Sequence, residues 1–270
     1  MENKIIQSSK PELVLKNVTK SFLTRKGSLN ALEDISFEVR EGEFVCMVGP
    51  SGCGKSTLLN LIAGLEKFDQ GEITLDDKKI HGPGSDRVVV FQEGALFPWM
   101  TVQGNVEYGL KIKGIPSKER SQQALNFLKL VHLEQFAHSY IHELSGGMRQ
   151  RVAIARGLVL EPRILLMDEP FAALDTQTRD LLVEELRGIW SKLHNTIFFV
   201  THNVREAVYL GDRVILLSFR PGKIKNIFSV NVPRPRDPDD PHCEEIVRTI
   251  VEELHSEVEK SVSAEMKPHA

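Results

Sequence analysis

The chain has 270 residues, room for one large domain or two small ones. Charged residues make up 26% and hydrophobic residues 41%, an ordinary globular balance, and a net charge of −3 gives no basic field for nucleic acid or anionic lipid. No run of about 18 apolar residues exists to span a membrane, and the odd trio Cys46, Cys53 and Cys243 is spaced for neither a zinc site nor a disulfide framework, which suits a reducing compartment.

Residues up to about Pro11 read as a loose arm. Met1-Glu2-Asn3-Lys4 leads into no long apolar core, so no secretory signal is expected. Leu13-Val14-Leu15 and residues 35–39 read as strands. In the second, Ile35, Phe37 and Val39 alternate with Ser36 and Glu38, as in a half-buried antiparallel strand. Glu41-Gly42-Glu43 is a turn, and Phe44-Val45-Cys46-Met47-Val48 is a short strand buried on both faces.

Gly49-Pro50-Ser51-Gly52-Cys53-Gly54-Lys55-Ser56-Thr57 follows, and a helical run opens at Leu58. Strand, glycine loop and helix together are the context of a P-loop. Glycines let successive N–H groups turn inward around a phosphate chain, and the helix start favours anions. Lys55 reaches the terminal phosphates and the Ser56 hydroxyl is placed for Mg²⁺. The loop therefore predicts binding of a nucleoside triphosphate.

Residues 72–75 and 88–91 read as further strands, and Gln92 follows the second, in reach of Mg²⁺ or a nucleophilic water. From about Thr101 to Leu160 the pattern turns helical. Ala124, Leu125, Leu128 and Val131 fall at helical spacing, after Pro116-Ser117 with Ser117 as candidate N-cap. A second helix is expected from about Gly147, stopped by Pro162. Leu144-Ser145-Gly146-Gly147-Met148 precedes it and reads either as a plain N-cap or as a second anion-seeking loop.

Residues 164–167 form an apolar strand ending in Asp168-Glu169. Asp168 can hold Mg²⁺, and Glu169 can accept a proton from an attacking water. An amphipathic segment, residues 179–193, and strands at 197–201 and 214–217 follow, with His202 placed to contact the terminal phosphate. Taken singly, Gln92 and His202 are ordinary strand-end residues. From Val232 a proline-rich stretch reads as an extended linker. A tail helix over 244–260 then carries Ile246, Ile250, Val251, Leu254 and Val258 as its apolar face, and the final ten residues read as frayed. No internal repeat is visible. Strands alternating with helices predict an α/β fold with a mostly parallel sheet and a helical insertion.

Together these motifs resemble the ATP-binding-cassette (ABC) ATPase family over roughly residues 13–232, in the family's order, with Ala172-Ala173-Leu174-Asp175 matching its D-loop. The resemblance implies a RecA-like P-loop NTPase with an antiparallel β subdomain and a helical subdomain at about 101–160; residues 233–270 form a separate tail. It implies ATP and Mg²⁺ as ligands, and a second copy as partner. Two ATPs would lie head to tail, each between one chain's P-loop and the other's Ser145, Gly146, Gly147 and Met148. In this frame Glu169 polarises the water, Lys55 and Ser145 neutralise the γ-phosphoryl, and Ser56, Gln92 and Asp168 arrange Mg²⁺. His202 links γ-phosphate to base, and Asp175 belongs to the nucleotide site.

Phe22 stands where the family more often has tyrosine against adenine; core packing is the other reading. Met148 replaces the commoner glutamine, and the backbone donors survive that change. Cys53, beside Lys55 at a helix start, reads as a thiol of lowered pKa or as an inert small residue. Ala95, Leu96, Phe97 and Trp99 form an apolar patch where the resemblance implies docking of an integral membrane permease. Leu96-Phe97-Pro98-Trp99, the signature and the Pro-Arg-Pro-Arg-Asp tail are similar to importers of nitrate, sulfonates and taurine. That group pairs two ATPases with permeases and an external solute-binding protein, at the cytoplasmic face of the membrane and without nucleic acid. Another cargo (polyamine, metal-siderophore or lipid) and an iron–sulfur-assembly ATPase are the alternatives.

Overall fold

The computed structural model describes residues 11–25, 27–237 and 239–265. The expected loose arm lies outside them, except for Pro11. The chain forms two compact units: one runs to Pro83 and resumes at Thr196, and the other is Gly84–Asn195.

The first unit opens with a long hairpin, β1 (Pro11–Thr24) and β2 (Gly27–Arg40). Leu13 faces Val39, Leu15 faces Phe37 and Val18 faces Ile35, so the buried alternation expected of a half-buried antiparallel strand is present. Both strands run well past the apolar residues that announced them. The extension from Lys20 to Thr24 pairs with residues 27–32, where adjacent apolar residues differ in burial, as with Leu23 at 94% exposure, and so left no clean alternation to read. β3 (Phe44–Val48) is buried at every residue. α1 (Lys55–Ala63) follows, then β4 (Gln70–Leu75) and the two-residue β5 (Lys78–Lys79), which complete a sheet of order β2-β1-β4-β5.

In the second unit β6 (Arg87–Val90) leads to α2 (Val102–Ile112), capped by Thr101 through the Gly104 N–H at 3.1 Å. α3 (Ser117–Leu130) begins at the expected cap residue itself: Pro116 holds the cap position, without a side-chain cap bond, and Ser117 is already helical. Proline's fixed φ suits a helix entry, and its missing N–H costs nothing there. α4 (Gly146–Leu158) ends before Pro162. β7 (Ile164–Asp168) pairs in parallel with β6, Val88 opposite Leu165 and Val90 opposite Met167. α5 (Thr176–Leu193) buries Leu182, Leu186, Ile189 and Trp190 along one stripe.

Back in the first unit, β8 (Thr196–Val200), α6 (Val204–Leu210), β9 (Arg213–Leu217), β10 (Ile224–Ser229) and α7 (Pro241–Glu265) complete the chain. β3 has parallel neighbours on both sides, β8 and β9, and β10 adds antiparallel to β9. Strands buried on both faces carry no alternation, which is why β3 and β8 read as solid apolar runs. Neither α6 nor β10 was foreseen. α6 has seven residues, and β10 carries Lys225 and Asn226 in an exposed stretch.

The tail adds to one expectation and corrects another. The proline-rich stretch, read as an extended linker, is pinned in place. Arg236, only 5% exposed, donates to the backbone oxygens of Val208, Tyr209, Gly211, Val230 and Val232. Burial brings its guanidinium pKa down to about 10. The inner face of α7 carries Cys243, Val247, Ile250, Glu257 and Ser261, whereas Val251 and Val258 are exposed. A helical period counted from Cys243 gives that face, and two polar residues in it hid it from a search for apolar spacing.

Candidate functional site

In the first unit the glycine loop hangs from the buried end of β3. Gly52 and Gly54 adopt φ of 69° and 105°, a left-handed region where side chains are strained. A Cβ on Gly54 would also sit 2.7 Å from Leu32 Cδ2. The Cys53 N–H donates to the Pro50 oxygen at 3.3 Å, closing the turn around Ser51 and Gly52. Lys55 is buried, and its Nζ donates to the oxygens of Gly49 at 2.9 Å and Pro50 at 3.2 Å. The ammonium thus lies against the loop's own carbonyls. α1 begins on Gly54 with no side-chain cap. Its first-turn amides have no acceptors within the helix and carry the positive end of the dipole. Thr57 is half-buried and Ser51 and Ser56 are exposed.

Cys53 departs from the low-pKa expectation. It is fully buried, and a Cβ on Gly49 would lie 2.8 Å from its sulfur. Burial raises its thiol pKa, and the opposing pull of Lys55 and Arg220 does not reverse that. Desolvation penalises the thiolate more than the neighbouring cation helps it. Cys53 fills space under the loop.

His202 follows β8 and is exposed, just ahead of Asn203, whose side chain caps α6 by accepting the Glu206 N–H at 3.3 Å. Phe22 is half-buried on β1, and the Lys20 Nζ stands 4.8 Å from its ring centroid. That ammonium is itself held by Glu66 at 2.9 Å and the Lys67 oxygen at 2.7 Å. Arg220 reaches the loop from a part of the chain that no motif marks. Its Nε donates to the Gly52 oxygen at 2.6 Å, from a Pro221-Gly222 turn whose residues signal only a bend.

In the second unit Gln92 is exposed, just beyond the end of β6; Phe91, expected within that strand, lies outside it and is also exposed. Among the patch residues, Leu96 and Phe97 are half-buried, Ala95 is exposed and Trp99 is 71% exposed. Asn105, wholly buried, ties this segment down: it accepts from the Phe97 N–H at 2.8 Å and donates to the oxygens of Phe97 and Thr101. Arg156 binds the oxygens of Gly94 and Ala95 and stands 5.6 Å from the Phe97 ring centroid.

Ser145 is the N-cap of α4, its Oγ accepting from the Met148 N–H at 3.3 Å. The cap and anion readings therefore share one oxygen, which retains its hydrogen as a donor. Gly147 is buried, and a Cβ there would lie 2.7 Å from Thr178 Cγ2; Gly146 and Met148 are half-buried. Four fully buried apolar residues of β7 lead to Asp168 and Glu169, both half-buried. Glu169 takes φ 45°, which turns the chain sharply after the strand. Asp175 caps α5 by accepting the Thr178 N–H at 3.0 Å, and that bond lowers its pKa.

The loop's donor set suits a phosphate chain: glycine backbone that a Cβ would disrupt, a lysine, and an uncapped helix start. Ser56 in the first unit, and Gln92 and Asp168 in the second, each carry a side-chain oxygen, the donor type that Mg²⁺ takes.

Comparison with known proteins identifies the family. The ABC transporter family profile matches residues 32–172. An uncharacterized ABC transporter ATP-binding protein of Methanocaldococcus jannaschii is 52% identical over 94% of this chain and 95% of its own length. The nitrate import ATP-binding protein of Synechocystis is 50% identical over 82% of this chain and 83% of its own. The taurine import ATP-binding protein of Rhizobium johnstonii is 49% identical over 79% and 82% respectively. Among solved structures, a dimeric ATP-binding cassette in a post-hydrolysis state with ADP and Pi matches with a TM-score of 0.72 at 35% identity, over 82% of this chain and all of that one.

Proposed function

From the premise that this chain belongs to the ABC transporter family, as an importer-type ATPase, we propose that it clamps ATP between two copies of itself and drives a membrane permease carrying nitrate, taurine, another sulfonate or a similar small anion. The observation that carries the ATP step is the braced, uncapped glycine loop, with Lys55 already folded over it. The names and identities of the relatives support the cargo class.

In the first unit, the backbone of residues 49–57 and Lys55 hold the phosphates, Phe22 carries the adenine, and His202 contacts the γ-phosphate. In the second, Glu169 accepts a proton from the attacking water, which is worth about 10²–10⁴ in rate. Ser56, Gln92 and Asp168 would hold Mg²⁺, which when bound neutralises charge on the β- and γ-phosphate oxygens. Ser145, Gly146, Gly147 and Met148 close over the nucleotide of the second copy, and Asp175 belongs to the same contact. Release of phosphate removes the charge that drew the copies together. Residues 13–232 form the cassette, with the helical block at about 101–160, and residues 233–270 form its tail.

Among the described residues no helix is long and apolar enough to cross a membrane. The chain would reach the cytoplasmic face of the membrane through the permease, seated on Ala95, Leu96, Phe97 and Trp99. The test is affinity capture of the tagged chain from detergent-solubilised membranes, beside a Trp99→Glu variant. An integral membrane permease retained by the wild type and lost by the variant is expected. Capture of a soluble scaffold protein instead would favour the assembly reading.

A further inference from the structure

α7 takes no part in the proposed ATPase cycle. Its inward Glu257, 2% exposed, is an unusual group to bury in a terminal helix. Its carboxylate accepts from Lys225 Nζ at 3.0 Å, Lys260 Nζ at 2.7 Å and the Phe219 N–H at 2.9 Å. Burial pushes its pKa up, but those three donors outweigh it and hold it down at about 2. Lys225 also donates to the Glu253 oxygen and to Ser256 Oγ, so β10 and α7 are joined around this carboxylate.

Phe219 opens the turn between β9 and β10, and that turn lies against the glycine loop at two points. Arg220 Nε donates to the Gly52 oxygen at 2.6 Å, and a Cβ on Gly52 would lie 2.6 Å from Arg220 Nη2. Gly222 approaches so closely that a Cβ on it would lie 2.2 Å from the Cys53 oxygen. The turn is rigid. Ser218 N donates to the Lys223 oxygen, Gly222 N donates to the Ala31 oxygen, Glu33 N donates to the Gly222 oxygen, and Lys223 pairs with Glu33 at 2.7 Å.

The peptide joining Gly52 and Cys53 is planar, so its C=O and N–H move as one. Arg220 holds the C=O end while the N–H end donates to the Pro50 oxygen. The guanidinium and the Pro50 oxygen together fix that peptide plane, and the guanidinium supplies the charged one of the two restraints. Without it, a left-handed Gly52 flanked by Ser51 is free to rotate, and the inward-facing arrangement of amides must be ordered when nucleotide binds.

We propose that Arg220 and Glu257 are positioning residues for the nucleotide: Glu257 of α7 fixes the Phe219-Arg220 turn, and Arg220 in turn presets the glycine loop, so that the C-terminal helix sets nucleotide affinity. This rests on the reading that residues 49–57 bind ATP.

The test is equilibrium binding of fluorescent mant-ADP to the full chain, together with steady-state ATPase kinetics. Losing one charge-assisted hydrogen bond predicts that Arg220→Ala weakens mant-ADP about 5–10-fold and raises KM alike, with kcat changed less than about twofold. Arg220→Lys, which keeps one donor, recovers most of the affinity. Glu257→Ala weakens binding about 3-fold, and the double variant binds no more weakly than Arg220→Ala, because both act through one peptide plane. Unchanged affinity in Arg220→Ala overturns the proposal, as does a double variant whose loss is the product of the singles. Arg220 is exposed, so its two variants decide the matter even where Glu257→Ala does not fold. Lys55→Ala separates the premise. If it binds mant-ADP as wild type does, the loop is not the nucleotide site; if it loses binding while Arg220→Ala does not, only the relay fails.

Discussion

α1 and α4 both begin on glycine-bearing turns, but α1 carries no side-chain cap whereas Ser145 caps α4. Around the first start, the loop carbonyls are occupied: Lys55 takes those of Gly49 and Pro50, and Arg220 takes that of Gly52. Around the second, Arg149 binds the Leu144 oxygen at 2.6 Å and Ser145 serves its own helix. A loop whose carbonyls are taken up by cations and whose helix start has no side-chain cap suits an anion. A capped start is stable alone and gains only when charge is delivered to it. The contrast fits a P-loop that binds nucleotide in a single chain and a signature loop that acts on a second chain's nucleotide.

The contrast can be broken in several ways. Glu169→Gln has the largest expected effect: phosphate release falls about 10²–10⁴-fold while ATP binding persists. Turnover at the wild-type rate would remove Glu169 as base. Lys55→Ala comes next, with nucleotide affinity down about 10–100-fold from the loss of charge-assisted bonds, read by mant-ADP titration. Ser145→Ala sharpens the difference between the two starts. Losing the cap should cost about 1 kcal/mol of stability in a denaturant titration, and turnover should fall while mant-ADP affinity in dilute protein stays as it was. A matching loss of mant-ADP affinity would mean that the signature loop serves its own chain.

Two smaller effects concern buried groups near the first start. Cys53 should resist iodoacetamide in the folded chain and react only on unfolding; rapid native labelling with loss of ATP binding would restore the reactive-thiol reading. Glu257 has a folded pKa of about 2 against an ordinary 4.5, so its contribution to stability is whole above pH 4.5 and is lost as the pH falls towards 2. Thermal melts of Glu257→Gln should therefore lose less stability than the wild type over that interval.

The candidate site residues could be picked out because their motifs are short, contiguous and tied to strand ends. β3 and β7 announced themselves as apolar runs, with the glycine loop and the acidic pair directly after them. The hairpin ribbon beyond Val18, the edge strand β10 and the seven-residue α6 were not legible, since exposed or very short elements need no hydrophobic period. The Arg220 contact with Gly52 joins residues 168 apart in sequence, and no local pattern encodes such a pair. Burial of Cys53 was hidden for the same reason: the sequence shows the cation beside it but not the packing that desolvates it. The true face of α7 was masked by Glu257, a charged residue whose partners come from β10, the preceding turn and its own helix.

The most direct measurement is sedimentation of Glu169→Gln with and without Mg·ATP. A chain that completes its site with a second copy should sediment at twice the monomer mass with ATP and as a monomer with ADP or without nucleotide. A monomer at saturating ATP would contradict it.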